Sequence, residues 1–98
     1  MPESMAKAVP TVRIDNERVR VTEWRFAPGA HTGHHRHEYA YVVVPLTTGP
    51  LVAIQSATGE TTSQLTFGAP YYRDAGVEHD VVNPNPGELV FVEIELKS

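Results

Sequence analysis

FAPGAHTGHHRHEYAYVVVPLTTG, residues 26 to 49, is the stretch on which the reading of this chain turns. It opens on the turn formers Pro28 and Gly29 and closes on Gly49, next to Pro50. Histidines stand at 31, 34, 35 and 37, tyrosines at 39 and 41, and valines at 42, 43 and 44. Extended backbone sends residues i and i+2 to the same face. His35 and His37 therefore share a face and suit one metal ion held by both rings, and Tyr39 and Tyr41 continue that face. His34, Arg36 and Glu38 point the other way. Around Val43 both faces are apolar, which marks a central strand or one that meets a partner subunit. The stretch predicts a strand from His35 to Leu46.

The flanking sequence has the same character. Strand-like runs cover Thr11 to Asp15, Arg18 to Phe26, Leu51 to Ser56, Thr61 to Phe67, Glu78 to Asn83 and Leu89 to Leu96. Turn residues separate them, and no window holds a helical period. Thr58-Gly59 suits a tight hairpin, because glycine takes positive φ without steric cost. Asn83-Pro84-Asn85-Pro86-Gly87 must end a strand, since its two prolines donate nothing to a ladder. In ELVFVEIEL, residues 88 to 96, Val90, Val92, Ile94 and Leu96 share one face and Glu93 and Glu95 the other. The pattern is that of an all-β sandwich or barrel. Residues 1 to 10, with Pro2, Ser4 and Pro10, read as an N-terminal arm, and 11 to 98 as one domain.

The chain has 98 residues, and a domain this small gains from burying surface in an oligomer. Together with the two-sided apolar strands, that predicts a homodimer. A net charge of −4 argues against nucleic-acid binding but permits an anionic small molecule as substrate or ligand. Without cysteine, a metal must be held by His, Asp, Glu, Tyr or backbone oxygen. Apolar runs are too short to span a bilayer, and the first ten residues lack a signal-peptide pattern, so cytoplasmic residence is expected.

The spacing of glycines and histidines carries a family resemblance. Gly29 is followed after five residues by His35-Arg36-His37. Gly68 is followed after five residues by Asp74-Ala75-Gly76, then by His79 and Asn83. This resembles the two motifs of the cupin superfamily, G(X)5HXH(X)3–4E(X)6G and G(X)5PXG(X)2H(X)3N. Within it, the first stretch together with AGVEHDVVNPN and FVEIELK is similar to small stand-alone members named for β-alanine degradation. The resemblance spans about Trp24 to Asn83. It implies a small antiparallel β-barrel of jelly-roll type, and His35, His37 and His79 as ligands of a divalent transition metal such as Fe, Zn, Ni or Mn.

Two positions depart from the motifs. Residues 39 to 44 contain no carboxylate, and by strand parity Tyr41 stands where the motif glutamate would point. Asp74 replaces the motif proline and still suits a turn. A three-histidine site keeps the full charge of its metal and so favours an anionic, chelating substrate. Some cupin dioxygenases use three histidines, so the resemblance implies an Fe(II) dioxygenase-like enzyme acting on a small polar acid. The alternative is a non-catalytic binding or regulatory module. Tyr41 is a candidate hydrogen-bond donor to substrate or a packing residue, ahead of a ligand role. Tyr39 and Arg73 are candidate substrate contacts. His31 and His34 are expected outside the metal shell, Glu78 at the surface, and Glu38 solvated unless a distorted loop brings it inward.

Overall fold

The computed structural model describes residues 6–55 and 59–98. Nine strands follow in order: β1 (Val9–Asp15), β2 (Val19–Phe26), β3 (His35–Arg36), β4 (Ala40–Pro45), β5 (Gly49–Gln55), β6 (Gly59–Leu65), β7 (Tyr71–Arg73), β8 (Glu78–Val82) and β9 (Leu89–Leu96). They form two antiparallel sheets, ordered β1-β2-β9-β4-β7 and β3-β8-β5-β6. The all-β barrel expected from the turn spacing is the observed fold. No helix among the described residues is long and apolar enough to cross a membrane.

Alternation along each strand explains the closure. Tyr41, Val43 and Pro45 point inward from β4, and Leu89, Phe91, Glu93 and Glu95 from β9. Phe26, Leu65 and Leu89 are fully buried, and the Phe26 and Phe91 rings meet with centroids 5.5 Å apart. Along β9 the inward face changes from Leu89 and Phe91 to Glu93 and Glu95. One end of the barrel is thus filled with hydrocarbon, and polar groups face the interior towards the other.

The loop after β8 is tied down by Asn83, whose side chain is fully buried. Its Nδ2 donates to the carbonyls of Phe26 (3.1 Å), Ala27 (3.3 Å) and Gly87 (2.9 Å). Its Oδ1 accepts from Asn85 N (2.8 Å) and Asn85 Nδ2 (2.7 Å). Its backbone carbonyl accepts from Gly29 N, and its amide donates to Ala30 O. Gly29 turns the chain there at φ 79°, a conformation L-residues seldom adopt.

Three details differ from the sequence expectation. The predicted strand from His35 to Leu46 is broken at Glu38 and Tyr39, giving β3 and β4. A three-residue strand, β7, lies where no strand was expected; it is defined by pairing Tyr41, Val42 and Val43 with Arg73, Tyr72 and Tyr71. Val9 and Pro10 already belong to β1, so strand pairing begins inside the expected arm. Proline is tolerated there because β1 is an edge strand. Residues 1 to 5 of that arm lie outside the described residues. So does Thr58 of the expected hairpin turn, although Gly59 pairs with Gln55 and has φ 88°.

Candidate metal centre

His35 and His79 face each other across the β3–β8 ladder. His37 lies just past β3, but its backbone is still held to the same segment. Its amide donates to Val77 O, and its carbonyl accepts from Gly76 N, each at 2.8 Å. Gly76 makes that return possible at φ 97°. Three imidazoles thus come from two neighbouring segments with backbone constraint on each.

Their Nε2 atoms converge. His35 Nε2 lies 3.0 Å from His37 Nε2, which lies 3.1 Å from His79 Nε2. His35 Nδ1 sits 2.8 Å from the Gly33 carbonyl, which can only accept, so Nδ1 donates there and Nε2 is the nitrogen left to face the other two rings. Burial, aided by the neighbouring His35, pushes His37 down to about 4. Burial, with His35 and His37 nearby, does the same to His79, also to about 4. Both rings are therefore neutral at pH 7, as metal ligands must be. A single N–H cannot satisfy three converging Nε2 atoms, whereas one cation can. Metal–imidazole bonds of about 2.0–2.1 Å at right angles leave nitrogens about 3 Å apart, as in the His35–His37 and His37–His79 pairs, and all three ligand atoms lie within 4.8 Å of one another. The donor set fits a divalent transition metal.

The histidines line a cavity of about 510 Å³ shared with Trp24, Leu51, Tyr71, Phe91 and Glu93. Tyr41, 3% exposed, stacks on the ring of His37 with centroids 4.0 Å apart and planes at 21°. Burial, with Glu93 nearby, holds its hydroxyl well above the usual phenol range, which opposes phenolate ligation. Tyr41 braces the His37 ring.

The remaining sequence candidates sit elsewhere. Tyr39 follows the bend that interrupts the strand, and it does not line the cavity; Glu38 does. Arg73 is exposed, lies over the Tyr71 ring at 4.5 Å, and is also absent from the lining. His34 pairs at the surface with Glu78, 3.1 Å away. His31 binds Asp80 through Nδ1 at 3.0 Å, and Asp80 also accepts from Gly33 N. That dyad holds the loop whose Gly33 carbonyl orients His35.

The acids of β9 were not singled out from the sequence as site residues. Glu95 forms a two-point contact with Arg20, at 2.7 and 3.2 Å. Glu93, 8% exposed, has no such cation. Burial, reinforced by the negative charge of Glu95, pushes its carboxyl up to about 7. A usable signal existed: Glu93 and Glu95 share strand parity with Phe91, a large aromatic expected inside.

No family model matches the chain. The chain is 56% identical over 91 residues to the β-alanine degradation protein BauB of Pseudomonas aeruginosa, covering 93% of this chain and 95% of that one. It is similar to a crystal structure of a cupin domain from Bordetella pertussis Tohama I. That match has 59% identity and a TM-score of 0.96, and covers 99% of this chain and 100% of that chain. The polyketide cyclase RemF from Streptomyces resistomycificus has TM-score 0.72 over 96% of this chain and 70% of that one. At 19% identity it shares the fold alone.

Proposed function

Because this chain belongs to the cupins, among the small members similar to the β-alanine degradation proteins, we propose that it is a metal-dependent enzyme acting on a small polar acid. The observation that carries this reading is the clustering of three imidazole ligand atoms, all within 4.8 Å of one another, in a cavity large enough for a small molecule. His35, His37 and His79 hold the metal. When bound, the metal supplies Lewis acidity and, if it is iron, the redox chemistry of a dioxygenase.

The chain's own residues prepare the site. Three neutral ligands leave the metal's charge undiminished, which favours a carboxylate substrate. Val43, Leu51, Val81 and Phe91 give the cavity apolar walls beside the histidines. The stacked Tyr41 keeps the His37 ring in one plane. The name of the Pseudomonas relative points to short amino acids and their oxidised products as the first acids to try.

The test is anaerobic reconstitution with Fe(II), followed by oxygen-electrode measurements with a panel of short amino, hydroxy and keto acids, β-alanine among them. Oxygen uptake that depends on both metal and one acid is the expected result. Metal-loaded protein that neither consumes oxygen nor alters any acid would overturn the dioxygenase reading. Saturable binding without turnover would favour the binding or regulatory module instead.

A homodimer belongs to the same proposal. Every residue of β1 is exposed, and Val12 and Ile14, at 55% and 49% exposure, present apolar side chains on a sheet edge. Uncovered edges of this kind pair readily with another chain. Sedimentation equilibrium is expected to give twice the chain mass. A monomer at micromolar concentration would remove the dimer from the account.

A further inference from the structure

The carboxylate missing from position 41 has a counterpart one strand away. β9 pairs with β4 so that Glu93 lies opposite Val43, and Glu95 opposite Tyr41. Both acids point inward, but only Glu93 faces a histidine of the triad. Its Oε2 lies 3.8 Å from Nδ1 of His37. Its Oε1 accepts from the indole nitrogen of Trp24 at 3.4 Å, which turns the second oxygen towards His37. Glu95 is held instead by Arg20.

His37 aims Nε2 at His35 and His79, so the proton of its neutral ring belongs on Nδ1, the nitrogen facing Glu93. A carboxylate behind a ligating imidazole fixes the tautomer, orients the ring and raises the basicity of the donor nitrogen. We propose that Glu93 is a positioning residue of the metal centre: the carboxyl group absent from β4 enters from β9, behind His37 and outside the coordination sphere. Trp24 aims that carboxylate, and Tyr41 stacks on the ring being oriented. This inference rests on the metal-binding reading above.

The experiment measures Co(II) affinity by isothermal titration and the Co(II) visible spectrum for wild type, Glu93→Gln and Glu95→Gln. Glutamine preserves the shape of Glu93 and removes its charge. Loss of a hydrogen-bonded partner behind a metal ligand costs about 10–100-fold in affinity; the 3.8 Å contact of Glu93 is longer than a hydrogen bond, so Glu93→Gln is expected to bind about tenfold more weakly. Its Co(II) bands should shift at saturation, which a general loss of stability would not cause. Glu95→Gln should retain near-wild-type affinity and bands. Wild-type binding with unchanged affinity and spectrum in Glu93→Gln would overturn this assignment alone. Absence of Co(II) binding by the wild type would overturn both the assignment and the metal reading.

Discussion

His79→Ala is expected to weaken binding of a divalent transition metal by more than about a hundredfold, because even a residue behind a ligand is worth about 10–100-fold. His79 is the only one of the three imidazoles delivered by β8; His35 and His37 come together from the segment around β3. Its removal leaves two protein donors and one more coordination position open to water. The fold should survive. The side chain already lines a cavity, and its contact at Nε2 is to His37, another group of the same site. Truncation therefore enlarges existing space and leaves no backbone group without a partner. His34→Ala is the matched control, since His34 is exposed and pairs with exposed Glu78. Titration with Zn(II) or Co(II) reads both variants. Equal affinity in His79→Ala and wild type would contradict the ligand assignment.

The second large effect concerns stability. Asn83→Ala is expected to destabilise the fold by about 3–5 kcal/mol, the sum of several buried groups left short of partners at about 1–3 kcal/mol each. The Asn83 amide serves the carbonyls of Phe26, Ala27 and Gly87, and its oxygen anchors Asn85 twice. For a domain of this size, about 1 kcal/mol shifts the melting temperature by roughly 4–8 °C, so the fall should exceed about 10 °C. Asn83→Asp discriminates the cause. It preserves the side-chain shape but replaces the donating NH2 with an oxygen, which would face the same three carbonyls. It should be at least as damaging as alanine. A melting temperature for Asn83→Asp close to wild type would show that packing, not donation, matters at this position.

The two effects divide the second motif between them. Asn83 is a structural clasp, joining β8, the loop after it and the turn at Gly29. His79, four residues earlier, belongs to the site. A loss of metal in Asn83 variants should follow unfolding, whereas a loss in His79→Ala should occur in folded protein.

Much of this was legible because strand parity is a strict geometric rule. It placed His35 and His37 on one face, and the motif spacing added His79. The prolines and Asn83 told where β8 must end, and they do end it. Parity failed where the strand itself failed. Nothing in HEYAY marks the bend at Glu38 and Tyr39, because no glycine or proline stands there, so Tyr39 was expected in the cavity and Glu38 was not. β7 escaped notice because a three-residue strand has too little pattern to read and is defined by its pairing with β4.

The acids of β9 show a different limit. Alternation separates Val92 and Ile94 from Glu93 and Glu95, but does not say which set faces inward. In a solid core the apolar set would win. Here the interior holds a cavity that takes polar groups among its apolar walls, and the half-buried Val92 and Ile94 lie on the outer side of the sheet. Only the three-dimensional register reveals Arg20 opposite Glu95 and Glu93 behind His37. Substituting the motif glutamate by Tyr41 is therefore not simply a loss of charge from the barrel. The acid is present on the neighbouring strand.

Anomalous diffraction from crystals soaked in Zn(II) tests the central claim most directly. The account predicts one strong peak at about 2.0–2.1 Å from Nε2 of His35, His37 and His79 together. No peak there, with zinc found instead only at the His34–Glu78 or His31–Asp80 pairs, would contradict it.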